Sequence, residues 1–135
     1  MTKYYVDSCI WLNLLNKEQN KIQGLPVWKI TEMFLMQNPE KIILTRFVRK
    51  EVLHKIKEKD KILLLDHFQE LTANDKEIFL ARTIESKEKY ALSFFDCIHL
   101  ALCHKRDYIL LTRDKELFWR GSKYTVIRKP EDLLY

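Results

Sequence analysis

Glycine is nearly absent: the 135 residues contain two, Gly24 and Gly121, far apart in the chain. Walker phosphate loops and GxGxxG dinucleotide turns need clustered glycines, because a backbone without Cβ atoms approaches a phosphate most closely, so both classes are excluded. Cysteine is scarce too. Cys9, Cys97 and Cys103 are odd in number, lie in apolar stretches and form no CxxC pair. That usage fits a reduced, cytoplasmic setting. No uncharged run approaches the roughly 18 apolar residues of a membrane span, and the N-terminus opens on a strand-like segment instead of a cleavable signal pattern. Repeats, linkers and low-complexity tracts are missing as well, and the length suits one domain over 1–135 with one active site.

What the chain does have is a modest excess of positive charge. Lys plus Arg outnumber Asp plus Glu by 24 to 19, and the sequence pI is about 9.1. This balance favours a polyanionic partner over a cationic one, although lysine-rich helix surfaces give the same excess without any partner.

Apolar strands alternate with helical patterns along the chain. KYYVD at 3–7 is β-prone and ends in Asp7, after which Ser8 is placed to cap a helix with Ile10, Trp11, Leu14 and Leu15 on one face. A second helix is expected from 26 to about 37, with Pro26 in its first turn. KIILT at 41–45 reads as a buried strand, and RFVRKEVLHKIKEK as a helix burying Phe47, Val48, Val52, Leu53 and Ile56. Residues 60–73 fit a short helix then a strand, or the reverse. Asn74 or Asp75 caps a helix to about Lys87, another helix covers 94–106, and YILLT at 108–112 and YTVI at 124–127 are strands. Such βαβ units imply right-handed crossovers and a mainly parallel sheet with helices on both faces, with ligands bound beyond the strand C-terminal ends.

Four carboxylates are placed where they could converge on that edge. Asp7 ends the first strand, Asp114 follows YILLT by two residues, Glu51 lies in the helix after KIILT, and Asp96 sits in the first turn of the helix before YILLT. Gathered together they would repel and raise one another's pKa unless a cation held them, and oxygen donors suit Mg2+ or Mn2+ better than zinc. Each also has an ordinary structural reading. Asp96 completes a cap with Ser93, Asp114 caps a short KELF turn, Asp7 ends a strand, and Glu51 pairs with Lys55.

The ordered set of YYVDS at 4–8, Glu51 in RKEVLHK, FFDCIHLALCHK at 94–105 and LLTRDKELF at 110–118 resembles a PIN domain over nearly the whole chain, nearest to the stand-alone VapC-type toxins. The resemblance implies a three-layer α/β/α sandwich with a central, mainly parallel five-stranded sheet. It also implies a Mg2+ or Mn2+ site ligated by Asp7, Asp96 and Asp114, directly or through water, with Glu51 at the family's helical acidic position. The hydroxyls of Ser8 and Thr112 match positions that support those aspartates. The implied activity is that of an endoribonuclease toxin, with an RNA substrate, a small antitoxin partner and a homodimeric state. One departure is the stretch after Asp114, where Lys115, Glu116 and Leu117 leave open whether Glu116 faces inward.

Arg46, Arg49, Lys50, Arg113 and Lys115 lie near these acids in sequence and are candidates for holding substrate phosphates, or plain solvated charges. His99 and Cys103 share the helical face of Asp96, yet a structural zinc needs four ligands and no matching pair is present, so His99 is expected to pack near the site. Two other classes remain: a Mg-dependent phosphoacceptor or phosphatase domain, which Ser8 in place of a second Asp fits poorly, and a non-catalytic RNA-binding module.

Overall fold

The computed structural model describes residues 1–135. Five short strands, β1 (Tyr4–Val6), β4 (Ile42–Thr45), β5 (Glu70–Leu71), β6 (Ile109–Leu111) and β7 (Ile127–Arg128), form one sheet in the order β5-β4-β1-β6-β7. Every pairing in it is parallel. Helices α1 (Ser8–Leu15), α2 (Val27–Gln37) and α3 (Arg46–Lys55) pack together, as do α4 (Asp75–Lys87) and α5 (Phe94–Arg106), while α6 (Lys115–Gly121) precedes β7. The result is the expected sandwich of helices about a central sheet.

The core explains the strand sequences. Tyr5 and Val6 of β1, Leu44 of β4, and Leu110 and Leu111 of β6 are fully buried, as continuous apolar runs must be when both faces of a sheet are covered. Trp11 of α1 lies over the sheet, donates its indole N–H to Val6 O at 3.2 Å, and packs edge-on against Phe68. Gly121 is closely packed: a Cβ there would come within 2.6 Å of Leu100 Cδ2 and 2.8 Å of Ile127 Cδ1, so those side chains would have to shift.

Several boundaries differ from the sequence expectation. Asp7, not Ser8, is the N-cap of α1, because its extended backbone lets its own carboxylate take the Ser8 N–H. Helix α3 stops at Lys55, short of the 59 expected: Ile56 turns extended to enter the core, and Asn16 Oδ1 accepts the Lys57 N–H at 2.9 Å. Leu53, expected in the core, is largely exposed. Residues Lys59–His67 form a 3-10 helix that buries Leu65 and exposes Leu63. The last strand begins later than 124, since the N–H groups of Tyr124 and Thr125 are both taken by Gly121 O at the end of α6. A hairpin not read from the sequence, β2 (Lys21–Ile22) and β3 (Leu25–Pro26), turns at Gln23 and Gly24, both at positive φ, the pattern of a primed two-residue turn.

The strand order reverses at β1, since the chain runs from β1 outward through β4 to β5 and then returns to build β6 and β7 on the other side. The crevice beyond the C-terminal ends of β1, β4 and β6 is therefore the topological switch point.

Candidate active site

Asp7 is the centre of this crevice. It follows β1 directly and is 4% exposed, and a carboxylate so enclosed needs hydrogen bonds to each oxygen. Oδ1 accepts the Ser8 N–H at 2.8 Å, and Oδ2 accepts the Thr112 hydroxyl at 2.7 Å. Thr112 meets Asp7 through its hydroxyl, and Ser8 meets it through its backbone amide. The Thr112 oxygen in turn accepts the Asp114 N–H at 3.1 Å, which ties the turn after β6 to the end of β1.

Glu51 reaches in from α3. Its side chain is 22% exposed and its Oε1 lies 2.8 Å from His99 Nε2, which is also 3.6 Å from Asp7 Oδ1. One ligand atom from each of Asp7, Glu51 and His99 falls within a 4.8 Å cluster that could hold a metal ion. Asp96, in the first turn of α5, is half-buried beside them. Its carboxyl is pushed up to about 6, first by burial and then by the charges of Asp7, Glu51 and Asp114, against an opposing pull from His99. Asp96 therefore senses all three other acids. Asp114 sits at the exposed rim, where its Oδ1 caps α6 by accepting the Leu117 N–H at 3.1 Å. Asp7 and Asp114 also cap helices, and Asp96 lies in the first turn of a third, where a helix N-terminus favours negative charge.

The basic residues divide. Arg49 is engaged by Asp66 at 3.1 Å and by Glu70 at 3.1 Å, and Arg113 by Asn13 at 2.9 Å and Glu131 at 2.8 Å. Arg46, Lys50 and Lys115 are exposed. Glu116 is exposed and pairs with Arg120 along α6.

Four residues at the site were not singled out as functional from the sequence, or only loosely. His99 is completely buried; burial alone would lower its pKa, but the hydrogen bond to Glu51 and the charges of Asp7, Glu51 and Asp96 outweigh that and raise it. Tyr5 and Thr45 stand behind it, with the Tyr5 hydroxyl 2.6 Å from His99 Nδ1 and 2.8 Å from Thr45 Oγ1. Cys9 places its thiol 3.6 Å from Asp7 Oδ2, and burial followed by the Asp7 charge pushes that thiol up to about 12, so it stays protonated and donates. Cys103, the other half of the zinc alternative, is buried and outside the ligand cluster. The one local signal for this set was polar residues within strand and helix cores, as in Tyr5 of KYYVD and His99 of FFDCIHLAL.

The atoms within reach of one point are carboxylate oxygens of Asp7 and Glu51 and a nitrogen of His99, with the half-buried Asp96 carboxyl beside them, so the acidic donors are hard and partly desolvated. An oxygen-preferring divalent cation is the group that such a cluster fits.

Comparison with known proteins agrees with this fold. The model of the PIN domain family matches residues 4–120. No curated protein matches the sequence significantly. Among solved structures the fold is similar to a toxin–antitoxin complex from Klebsiella pneumoniae, with a TM-score of 0.69 and 16% identity over 95% of this chain and 98% of that one. It is equally similar to VapBC2 from Rickettsia felis bound to a promoter DNA fragment, with a TM-score of 0.69 and 16% identity over 95% and 98% of the two chains. DNA-bound VapBC from Salmonella typhimurium gives a TM-score of 0.71 and 13% identity over 96% and 99%.

Proposed function

This chain belongs to the PIN domain family, and from that premise we propose that it is a Mg2+- or Mn2+-dependent endoribonuclease, the toxin of a toxin–antitoxin pair, acting as a single domain. The observation that carries the reading is the meeting of Asp7 and Glu51 at the switch point of the sheet, beside an Asp96 whose carboxyl is raised first by burial and then by their charges.

Asp7, Asp96 and Asp114 hold the ion, and Glu51 completes its surroundings or positions the attacking water. The ion, when bound, supplies the positive charge that activates water and offsets charge growing on the phosphate. The remaining work belongs to the protein. Ser8 N–H and Thr112 fix both oxygens of Asp7, so the carboxylate is oriented before any ligand arrives. Arg46, Lys50 and Lys115, exposed and in no ion pair, are the cations available to draw the RNA backbone toward the crevice.

The partner and setting follow from the same reading. The similar Klebsiella structure is a toxin–antitoxin complex, and those from Rickettsia and Salmonella are VapBC bound to DNA. For this chain we infer a small antitoxin that covers the crevice, by placing a basic side chain among the carboxylates, a homodimeric toxin, and action in the cytoplasm. No helix is long and apolar enough to cross a membrane.

The test is cleavage of labelled single-stranded RNA by purified protein with Mn2+, with and without chelator, beside the Asp7→Asn/Asp96→Asn double variant. Metal-dependent products that disappear in the variant, while its circular dichroism spectrum is retained, support the reading. Undiminished cleavage by the variant overturns it. A DNA substrate of the same sequence measures the preference for the 2′-hydroxyl.

A further inference from the structure

The Asp7, Glu51 and His99 cluster has the look of an O,O,N metal site, but the hydrogens behind His99 oppose that use of the imidazole. We propose that His99 keeps a hydrogen on Nε2 and donates it to Glu51, as a positioning residue whose tautomer is set by a buried chain of hydroxyls, and that it is not a metal ligand. The inference rests on the proposed metal site, which it refines.

The chain starts at a group with no choice. Val48 N–H, in the first turn of α3, can only donate, and its acceptor is Thr45 Oγ1 at 3.3 Å. Thr45 Oγ1 lies 2.8 Å from the Tyr5 hydroxyl, which lies 2.6 Å from His99 Nδ1. Thr45, Val48, Tyr5 and His99 are all completely buried, so solvent supplies no alternative partner. Burial holds the Tyr5 phenol well above its ordinary range, so it always has a hydrogen to give.

One arrangement uses every hydrogen. Thr45 donates to Tyr5, Tyr5 donates to Nδ1, and the ring hydrogen on Nε2 goes to Glu51 Oε1 at 2.8 Å. A ligating Nε2 requires the hydrogen on Nδ1 instead. That hydrogen would go to the Tyr5 oxygen, the Tyr5 hydrogen to Thr45, and the Thr45 hydrogen would be left buried without an acceptor. The bare Nε2 lone pair would then also face a carboxylate oxygen at 2.8 Å. Both features disfavour the ligating tautomer. An imidazolium would still carry hydrogen on Nε2, so the conclusion about that atom holds in either charge state.

The consequence is a division of labour at Glu51. Its Oε1 is held by His99, and Oε2 is left for the ion or its water. The ion then meets oxygen donors alone, which favours Mg2+ or Mn2+ over zinc.

The experiment is a long-range proton–nitrogen correlation spectrum of the full chain labelled with nitrogen-15 histidine, recorded without RNA, before and after adding Mg2+. A His99→Gln spectrum assigns the signal among the four histidines. The expected pattern has a protonated Nε2 in both conditions. An unprotonated Nε2, or loss of its hydrogen on adding Mg2+, overturns the proposal. The wild-type spectrum decides this even where a variant fails to fold. In Tyr5→Phe, which removes the donor to Nδ1, the tautomers become mixed and Mg2+ affinity falls by about tenfold; an unchanged tautomer would remove the hydroxyl chain from the account. Because no RNA is present, failure of the nuclease reading would show only in the cleavage assay.

Discussion

The Thr112 hydroxyl donates to Asp7 Oδ2 at 2.7 Å across 105 positions of sequence, and Thr112 Oγ1 itself accepts the Asp114 backbone N–H. One buried hydroxyl thus orients a carboxylate from β1 and anchors the turn that carries another. Thr112→Val keeps the shape and removes both bonds. The expected outcome is a loss of metal affinity or cleavage of about 10- to 100-fold, with Thr112→Ser restoring most of it. Metal titration of the three proteins makes the comparison, and a Val variant of wild-type affinity would refute the role.

Asp96 stores a cost in the metal-free protein. Its folded pKa, about 6, lies above its ordinary 3.8, so above pH 6 the fold must hold a charge it disfavours, and the cost fades as pH falls from 6 toward 4. Discounted for partial solvent exposure, it amounts to about 1–2 kcal/mol at neutral pH. Asp96→Asn therefore raises the melting temperature of the metal-free protein at pH 7 by several degrees while abolishing cleavage. The gap from wild type closes toward pH 4. Melting curves at pH 7 and pH 4, with and without Mg2+, read both effects.

Far from the crevice, Glu88 has the opposite sign. Hydrogen bonds from Lys123 and Tyr124 hold its carboxyl at about 2, aided by Arg120 and opposed by burial. A depressed folded pKa contributes stability that is complete above the ordinary 4.5 and is lost as pH falls toward 2. Glu88→Gln is expected to cost about 2 kcal/mol at neutral pH and to flatten the acid limb of the stability curve between 4.5 and 2. Urea unfolding at a series of pH values checks it; a parallel offset at all pH would contradict it.

Arg113 and Lys50 were equal candidates for phosphate binding, and the fold separates them. Arg113 is partly buried against Glu131 and Asn13, joining the end of the chain to α1. Arg113→Ala is expected to lose about 3 kcal/mol of stability, measured by urea unfolding. Lys50→Ala is expected to leave stability unchanged and to raise the KM for RNA, with a shallower salt dependence. If Arg113→Ala unfolds like wild type and changes KM alone, the assignment of the two is reversed.

Much of the fold was legible in the residues themselves. YYV, IILT and ILL are apolar enough for a sheet covered on both faces, helical patterns separate them, and Asp7 and Asp114 follow strands, so the shared edge could be read by counting. The edges of elements were less legible. Helix α3 ends where Ile56 is drawn into the core, and β7 starts where Gly121 O releases the backbone, neither of which is encoded in local propensity.

From its own order of residues the chain determined the alternation of strand and helix, the parallel sheet and the three acids that begin helices, because periodicity and capping act between near neighbours. Only the tertiary structure decided that His99 faces Glu51, that Tyr5 and Thr45 stand behind it, that Ser8 serves Asp7 through its amide, and that Arg49 and Arg113 are neutralised. Those choices are made between side chains from separate elements, where tenths of an ångström decide which donor meets which acceptor, and no spacing along the chain carries that distance.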